Sequence, residues 1–208
     1  MQPKNKIIKT RIRNNPEEVG LTTNYRIFRK TKFKIGGKRL FFQFYQGNDF
    51  LYSAKIKSKH TACMIPISNR LETHLSDFDL NAILIHQKNE NYTLKIGKTP
   101  EKELMKLQVG KLHENKFYEV DLLIHDSILP QKLSSLTPDY QDPSFWERLF
   151  DGKFFIPSEK NCAFISKQNG LIYLQYRKID KSTLEIDAVD VLSPLCIFAI
   201  GLSIFQNS

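Results

Sequence analysis

Pro194-Leu-Cys-Ile-Phe-Ala-Ile-Gly-Leu-Ser-Ile-Phe205 lies in an eighteen-residue C-terminal run, Val191–Ser208, without one charged side chain. Ser193 is a suitable N-cap and Pro194 fits the first helical position, so the run reads as a helix. Three environments compete for it. A membrane span needs ~20 apolar residues, and this stretch has twelve before Gln206-Asn-Ser. A buried strand pair would need a turn signal, and none divides it. A helix that is apolar on every side must be enclosed by protein.

The rest of the chain supplies the enclosure. Its 208 residues are 41% hydrophobic and 25% charged, with fifteen Phe, eight Tyr and one Trp, which excludes wholesale disorder and favours strands. Short strands are expected at Lys6–Arg13, Arg39–Tyr45, Phe50–Lys57, Cys63–Ile67, Ala82–His86, Tyr92–Ile96, Leu104–Val109, Phe117–Ile124, Lys153–Ile156, Cys162–Ser166, Leu171–Arg177 and Thr183–Ala188. In the last of these, Leu184, Ile186 and Ala188 alternate with Glu185 and Asp187, the period of a half-buried sheet. About ten residues per strand fits a sandwich or barrel. The expectation is one all-β domain over 1–208, a closed antiparallel β-barrel of about twelve strands around the C-terminal helix. Residues 1–5 are expected to be disordered and 126–145 to form a long loop. Pro143 and Trp146-Glu-Arg-Leu149 suggest a helical turn in that loop.

The net charge of +9 is unevenly spread. Residues 1–60 hold 15 Lys/Arg against 3 Asp/Glu, whereas the remaining 148 hold 16 against 19. Such a basic third suits either a solvated surface or a face turned to an anion: phospholipid, nucleic acid or an acidic protein. Cys63, Cys162 and Cys196 form no CxxC pair, and Met1–Arg11 lacks a leader pattern, so a reducing compartment is expected. The five His are scattered and argue for no metal.

No motif points to catalysis, and a non-enzymatic role without a cofactor is expected. GxxxxGK[ST], GxGxxG and GxSxG are all missing. Gly36-Gly37-Lys38 reads as a turn between basic strands. Asp77 and Asp79 suit a turn cap better than a cation site. His60 and Cys63, three apart on a strand, would face opposite ways.

The C-terminal third resembles the tubby family, whose members end in a hydrophobic helix patterned FAIxLSxF. Phe198, Ala199, Ile200, Leu202, Ser203 and Phe205 complete that pattern. Leu171–Asp187 aligns with the family's penultimate strands, with Gln175 and Asp187 matching. Phe150-Asp-Gly-Lys153 and Ser158-Glu-Lys-Asn161 are similar to its FxGR and SxKN stretches, and Ile8–Arg13 to its opening strand. The resemblance implies a twelve-stranded barrel filled by the last helix. It also implies binding of phosphoinositides, chiefly phosphatidylinositol 4,5-bisphosphate, tethering at the inner face of the plasma membrane, and a link to ciliary trafficking. The family's basic strand falls on Lys55, Lys57 and Lys59, which alternate with Ile56 and Ser58 and so share one face. A second family Arg falls near Gln87–Lys88, where Lys88 would substitute.

Three function classes follow. The first is a phosphoinositide-binding membrane adaptor. The second is a tubby-fold scaffold with cytoskeletal or ciliary protein partners. The third is a nucleic-acid binder using the basic, aromatic-rich segment Arg26–Lys59, which requires exposed aromatics for base stacking. A row of lysines on a strand has one further reading, the protection of a sheet edge against aggregation.

Overall fold

The computed structural model describes residues 23–35, 37–57, 64–71, 81–87, 91–96, 102–112, 115–122, 131–136, 142 and 144–206. Twelve strands, each antiparallel to its neighbours, close into a barrel: β1 (Thr23–Lys34), β2 (Gly37–Gln46), β3 (Asp49–Lys57), β4 (Met64–Ser68), β5 (Ala82–Gln87), β6 (Asn91–Ile96), β7 (Lys102–Leu112), β8 (Asn115–Leu122), β9 (Gln131–Ser135), β10 (Cys162–Ser166), β11 (Ile172–Lys178) and β12 (Thr183–Ala188). Each strand pairs with the next in sequence, and β1 pairs with β12 to complete the ring. A short helix, α1 (Phe145–Leu149), precedes β10, and α2 (Pro194–Gln206) ends the chain.

Closure creates a space that α2 fills. About eight strands make an interior that side chains alone can pack, and diameter grows with strand number. Twelve strands therefore enclose a lumen too wide for side chains meeting across it. Eleven consecutive residues of α2, Leu195 to Phe205, are buried. They meet strands on several sides. Phe198 stacks on Phe44 of β2 at 5.1 Å and faces Tyr52 of β3 at 6.4 Å, and Phe205 packs on Phe42. From β11, Tyr176 donates its hydroxyl to the Ile197 carbonyl at 2.6 Å inside the core. No helix among the described residues is long and apolar enough to cross a membrane.

Gly201 sets how closely helix and wall approach. A Cβ there would lie 2.2 Å from Ile27 Cδ1 and 3.2 Å from the Tyr176 ring, both of them fully buried side chains. Cations gather at the far end of the helix. The Arg29 guanidinium lies 5.2 Å and the Lys160 ammonium 5.8 Å from the Phe205 ring, where the macrodipole leaves partial negative charge.

Outside the barrel, the segment from α1 to β10 lies over β11 and β12 as a strap. The inward residues of these strands are apolar (Leu174, Tyr176, Leu184, Ile186), while Gln175, Arg177, Glu185 and Asp187 face the strap. Gln175 donates to the Leu149 carbonyl at 2.9 Å, and Arg177 to that of Phe154 at 3.1 Å. Arg177 also pairs with Glu185 (2.9 Å) and Asp187 (3.1 Å), and Lys153 reaches Asp187 from the strap at 3.0 Å. Asn161 accepts from the Lys178 amide and donates to the Ile156 carbonyl. Burial pushes the Asp187 carboxyl up. Hydrogen bonds from Asn24 and Lys153 and the charges of Arg177 and Lys153 outweigh it, holding the group below the ordinary carboxylate range.

The closed twelve-stranded barrel, the helix and its start at Pro194 agree with the sequence reading. Three elements differ. Lys153–Ile156 is irregular and not a strand: Phe154 accepts from the Arg177 side chain and Ile156 donates to the Lys178 carbonyl, with no ladder between them. The loop expected over 126–145 contains β9, whose only inward apolar residue is Leu133, too faint a pattern to register. The strand β1 is an addition to the expected set; only Tyr25 and Ile27 of it are buried hydrophobics, so its alternation is brief. The expected strand Lys6–Arg13 and residues 1–5 lie outside the described residues.

Two outcomes test this packing. Gly201→Ala gains helix propensity, yet the clash with Ile27 is expected to destabilise the chain by about 1–3 kcal/mol. The loss should shrink in an Ile27→Val background, as read by urea denaturation. Asp187 has a depressed folded pKa, so its contribution is present above the unfolded value of ~4 and is lost as pH falls. Asp187→Asn is expected to cost about 3 kcal/mol at neutral pH, the low end for breaking a buried pair because Glu185 still faces Arg177. It should also flatten the acid side of the stability–pH curve, which unfolding midpoints from pH 7 to 3 would measure.

Candidate functional site

Within the basic third of the sequence, five of the described cationic positions come together on one outer face of β1, β2 and β3. Inward residues alternate along β2 as Leu40, Phe42 and Phe44, placing Arg39 and Phe41 on the outside. Register does the rest. Lys30 lies opposite Phe41, which lies opposite Lys55; two residues on, Lys32 lies opposite Arg39, which lies opposite Lys57. Residues directly opposite in an antiparallel pair share a face, as do residues two apart on one strand. Two adjacent rungs thus carry five cationic positions around one aromatic ring.

That ring, Phe41, is only 4% exposed although it faces outward. The Lys32 ammonium lies 5.3 Å from its centroid and the Lys55 ammonium 5.6 Å, so the lysine stems cover the ring while the charged ends stay at the surface. Lys30 and Lys32 are exposed, and Arg39 and Lys55 half-buried. Arg39 Nε is buried and without a hydrogen-bond partner. Across β1–β3 the sole acidic residue is Asp49, which pairs with Gln46 at the opposite end of the hairpin. Among the described residues, no ion pair involves Lys30, Lys32 or Arg39. Like charges at about 6 Å repel by ~0.7 kcal/mol per pair even in water-like dielectric. A bound polyanion would reverse the sign of that term.

Lys55 stands on this face as the sequence suggested, and Lys57 occupies the matching backbone position at the end of β3. Lys59 and Lys88 lie outside the described residues, as do Asp77, Asp79, His60 and Cys63. Lys30, Lys32 and Arg39 are site residues that sequence reasoning missed. The turn signal Gly36-Gly37 could have found them, because a two-residue connection between Lys34 and Gly37 fixes the register that brings them to Lys55 and Lys57.

Other surfaces are less suited to an anion. A groove of about 400 Å³ crosses β6 to β9, lined by Lys95, Lys106, Lys132 and Lys167 but also by Glu103, Glu119 and Asp121. Two of its lysines pair with its carboxylates, Lys106 with Glu103 at 2.9 Å and Lys167 with Glu119 at 2.5 Å, and Asp121 adds a further negative charge. A row of bases stacked on the basic segment finds little platform: Phe41, Phe42 and Phe44 are 4%, 1% and 0% exposed, and Phe33 is the large aromatic left open there. Among the described residues no three His, Cys, Asp or Glu side chains cluster as metal ligands. Both described thiols are buried; burial pushes Cys196 up to about 12 and Cys162 higher still, which removes the thiolate a nucleophile needs.

Compared with protein-family models and with curated proteins, the chain matches none.

The burial of the thiols has a direct consequence. In native protein, Cys162 and Cys196 are expected to resist a maleimide reagent and to react only in denaturant, as counted by mass spectrometry after digestion. Rapid native labelling of either would contradict their place in the core.

Proposed function

We propose that the chain is a tubby-like, non-enzymatic adaptor that binds phosphoinositides, phosphatidylinositol 4,5-bisphosphate foremost, at the inner face of the plasma membrane. The observation that carries this reading is the pair of rungs Lys30–Phe41–Lys55 and Lys32–Arg39–Lys57, five cationic positions on strands whose one carboxylate lies at the far end. Lys59 and Lys88 join the site in this reading on the strength of the family resemblance. The barrel filled by its terminal helix is the architecture that the resemblance implied, which supports the reading from the side of the fold. The same resemblance connects it with ciliary trafficking.

The chemistry shapes the mode of binding. Lysine offers phosphate a compact point charge, whereas arginine offers a planar fork matched to adjacent oxygens. With Arg39 as the single fork on the two rungs, recognition counts charge more than it reads stereochemistry. Each cation near an anionic leaflet contributes on the order of 1 kcal/mol, and the sum is screened by salt. Affinity should therefore rank with headgroup charge, bisphosphates above monophosphates above phosphatidylserine.

The test is vesicle co-sedimentation. Wild-type protein is expected to bind vesicles containing the 4,5-bisphosphate, with binding falling at least tenfold between low and physiological salt. Lys55→Glu/Lys57→Glu, shown folded by circular dichroism, should lose most of it. Undiminished binding by that variant would remove the site assignment, and no binding by the wild type would leave the fold to a scaffold role.

A further inference from the structure

The β1–β2 hairpin outruns the barrel wall. β12 pairs with β1 from Thr23 to Phe28, the Ser182 carbonyl accepts from the Arg29 amide at 2.7 Å, and β3 pairs with β2 as far as Arg39. Past the Lys32–Arg39–Lys57 rung, Phe33–Lys34 and Gly37–Lys38 continue the hairpin by roughly 7 Å at ~3.3 Å per residue, as far as the turn at Ile35. At its tip Phe33 is 82% and Ile35 112% exposed. Single exposed apolar side chains are ordinary. Two of this size, two residues apart at the tip of a hairpin whose last rungs carry Lys30, Lys32, Lys38 and Arg39, form an apolar point with a cationic collar.

We propose that this tip is a membrane wedge: Phe33 and Ile35 enter the headgroup–acyl boundary of an anionic bilayer while the Lys32–Arg39 rung sits at headgroup level. The proposal rests on the phosphoinositide reading and deepens it, because the occupant becomes the bilayer and not a free headgroup. Distance supports it. From the Lys32–Arg39 rung to Ile35 is three residues, about 10 Å along the hairpin, which matches the ~5–10 Å to which interfacial apolar side chains penetrate. Charge complementarity selects the same occupant, since the collar would repel a basic partner and the apolar point gains nothing from a soluble phosphate. The two sets of residues also divide the work. Phosphate contacts give salt-sensitive attraction, and apolar insertion gives a salt-resistant component.

Phe33→Ser/Ile35→Ser tests it against both bisphosphate vesicles and soluble inositol 1,4,5-trisphosphate. The exposed positions leave the fold intact, which circular dichroism checks. The expected result is unchanged binding of the soluble headgroup and a loss of on the order of tenfold or more on vesicles, the factor that partial burial of two large apolar side chains supplies. In a second measurement, Phe33→Trp bound to vesicles should show quenching by brominated acyl chains above the wild-type Trp146 signal. Equal vesicle binding by the Ser variant, or no quenching of the introduced indole on bound vesicles, overturns the wedge while leaving the phosphoinositide reading standing. Failure of the wild type to bind either the vesicles or the soluble headgroup overturns both.

Discussion

The packing of α2 against the inner wall is the constraint on which the rest of the architecture depends. A ring of twelve strands has no edge to protect, yet its lumen exceeds what side chains can fill from the wall. Only an element with apolar side chains in every direction can occupy it, and Leu195–Phe205 is such an element. The two parts need one another. Without the wall, the helix would expose a cylinder of hydrocarbon; without the helix, Phe42, Phe44, Tyr52 and Tyr176 would line a cavity and lose their partners. Gly201 and the Tyr176 hydroxyl settle the depth at which the helix sits, one by leaving room and the other by bonding a backbone carbonyl.

With the interior committed to apolar packing, polar residues must work from the outside, and they divide into two faces. Over β11 and β12 the charges are neutralised and covered: Arg177, Glu185, Asp187 and Lys153 bind the strap to the barrel. On the two rungs over β1 to β3 they are of one sign, and among the described residues no ion pair involves Lys30, Lys32 or Arg39. The contrast follows from composition, because carboxylates are interleaved with cations in the first region and reduced to Asp49 in the second. Several residues that carry the tubby resemblance, Gln175, Asp187, Lys153 and Asn161, belong to the covered face and hold the strap. Their part is architectural, so likeness at those positions speaks to fold. The proposed function rests on the cationic rungs of β1 to β3 instead.

How much can be read from the sequence follows from which signals are local. The helix and its container are legible because an uncharged twelve-residue run has few physical solutions, and strands such as Thr183–Ala188 are legible from strict alternation. The strap reads as a strand because Phe154, Phe155 and Ile156 are apolar and aromatic, a pattern that does not say whether the partners are a ladder or side chains. β1 escapes notice because alternation fades where the hairpin outruns β12, and with β1 go Lys30 and Lys32. Lys55 and Lys57 follow from spacing alone, as period two needs no partner strand. Arg39 needs the cross-strand register, a non-local quantity.

Amide hydrogen exchange on the intact chain tests the central packing most directly. The buried amides of α2 should exchange as slowly as those of β2, β11 and β12, and all should share one denaturant dependence, because the helix cannot leave a closed wall without opening it. Exchange of α2 by a faster, local route while the strands stay protected would contradict the account, for it would place the helix on a barrel that stands without it.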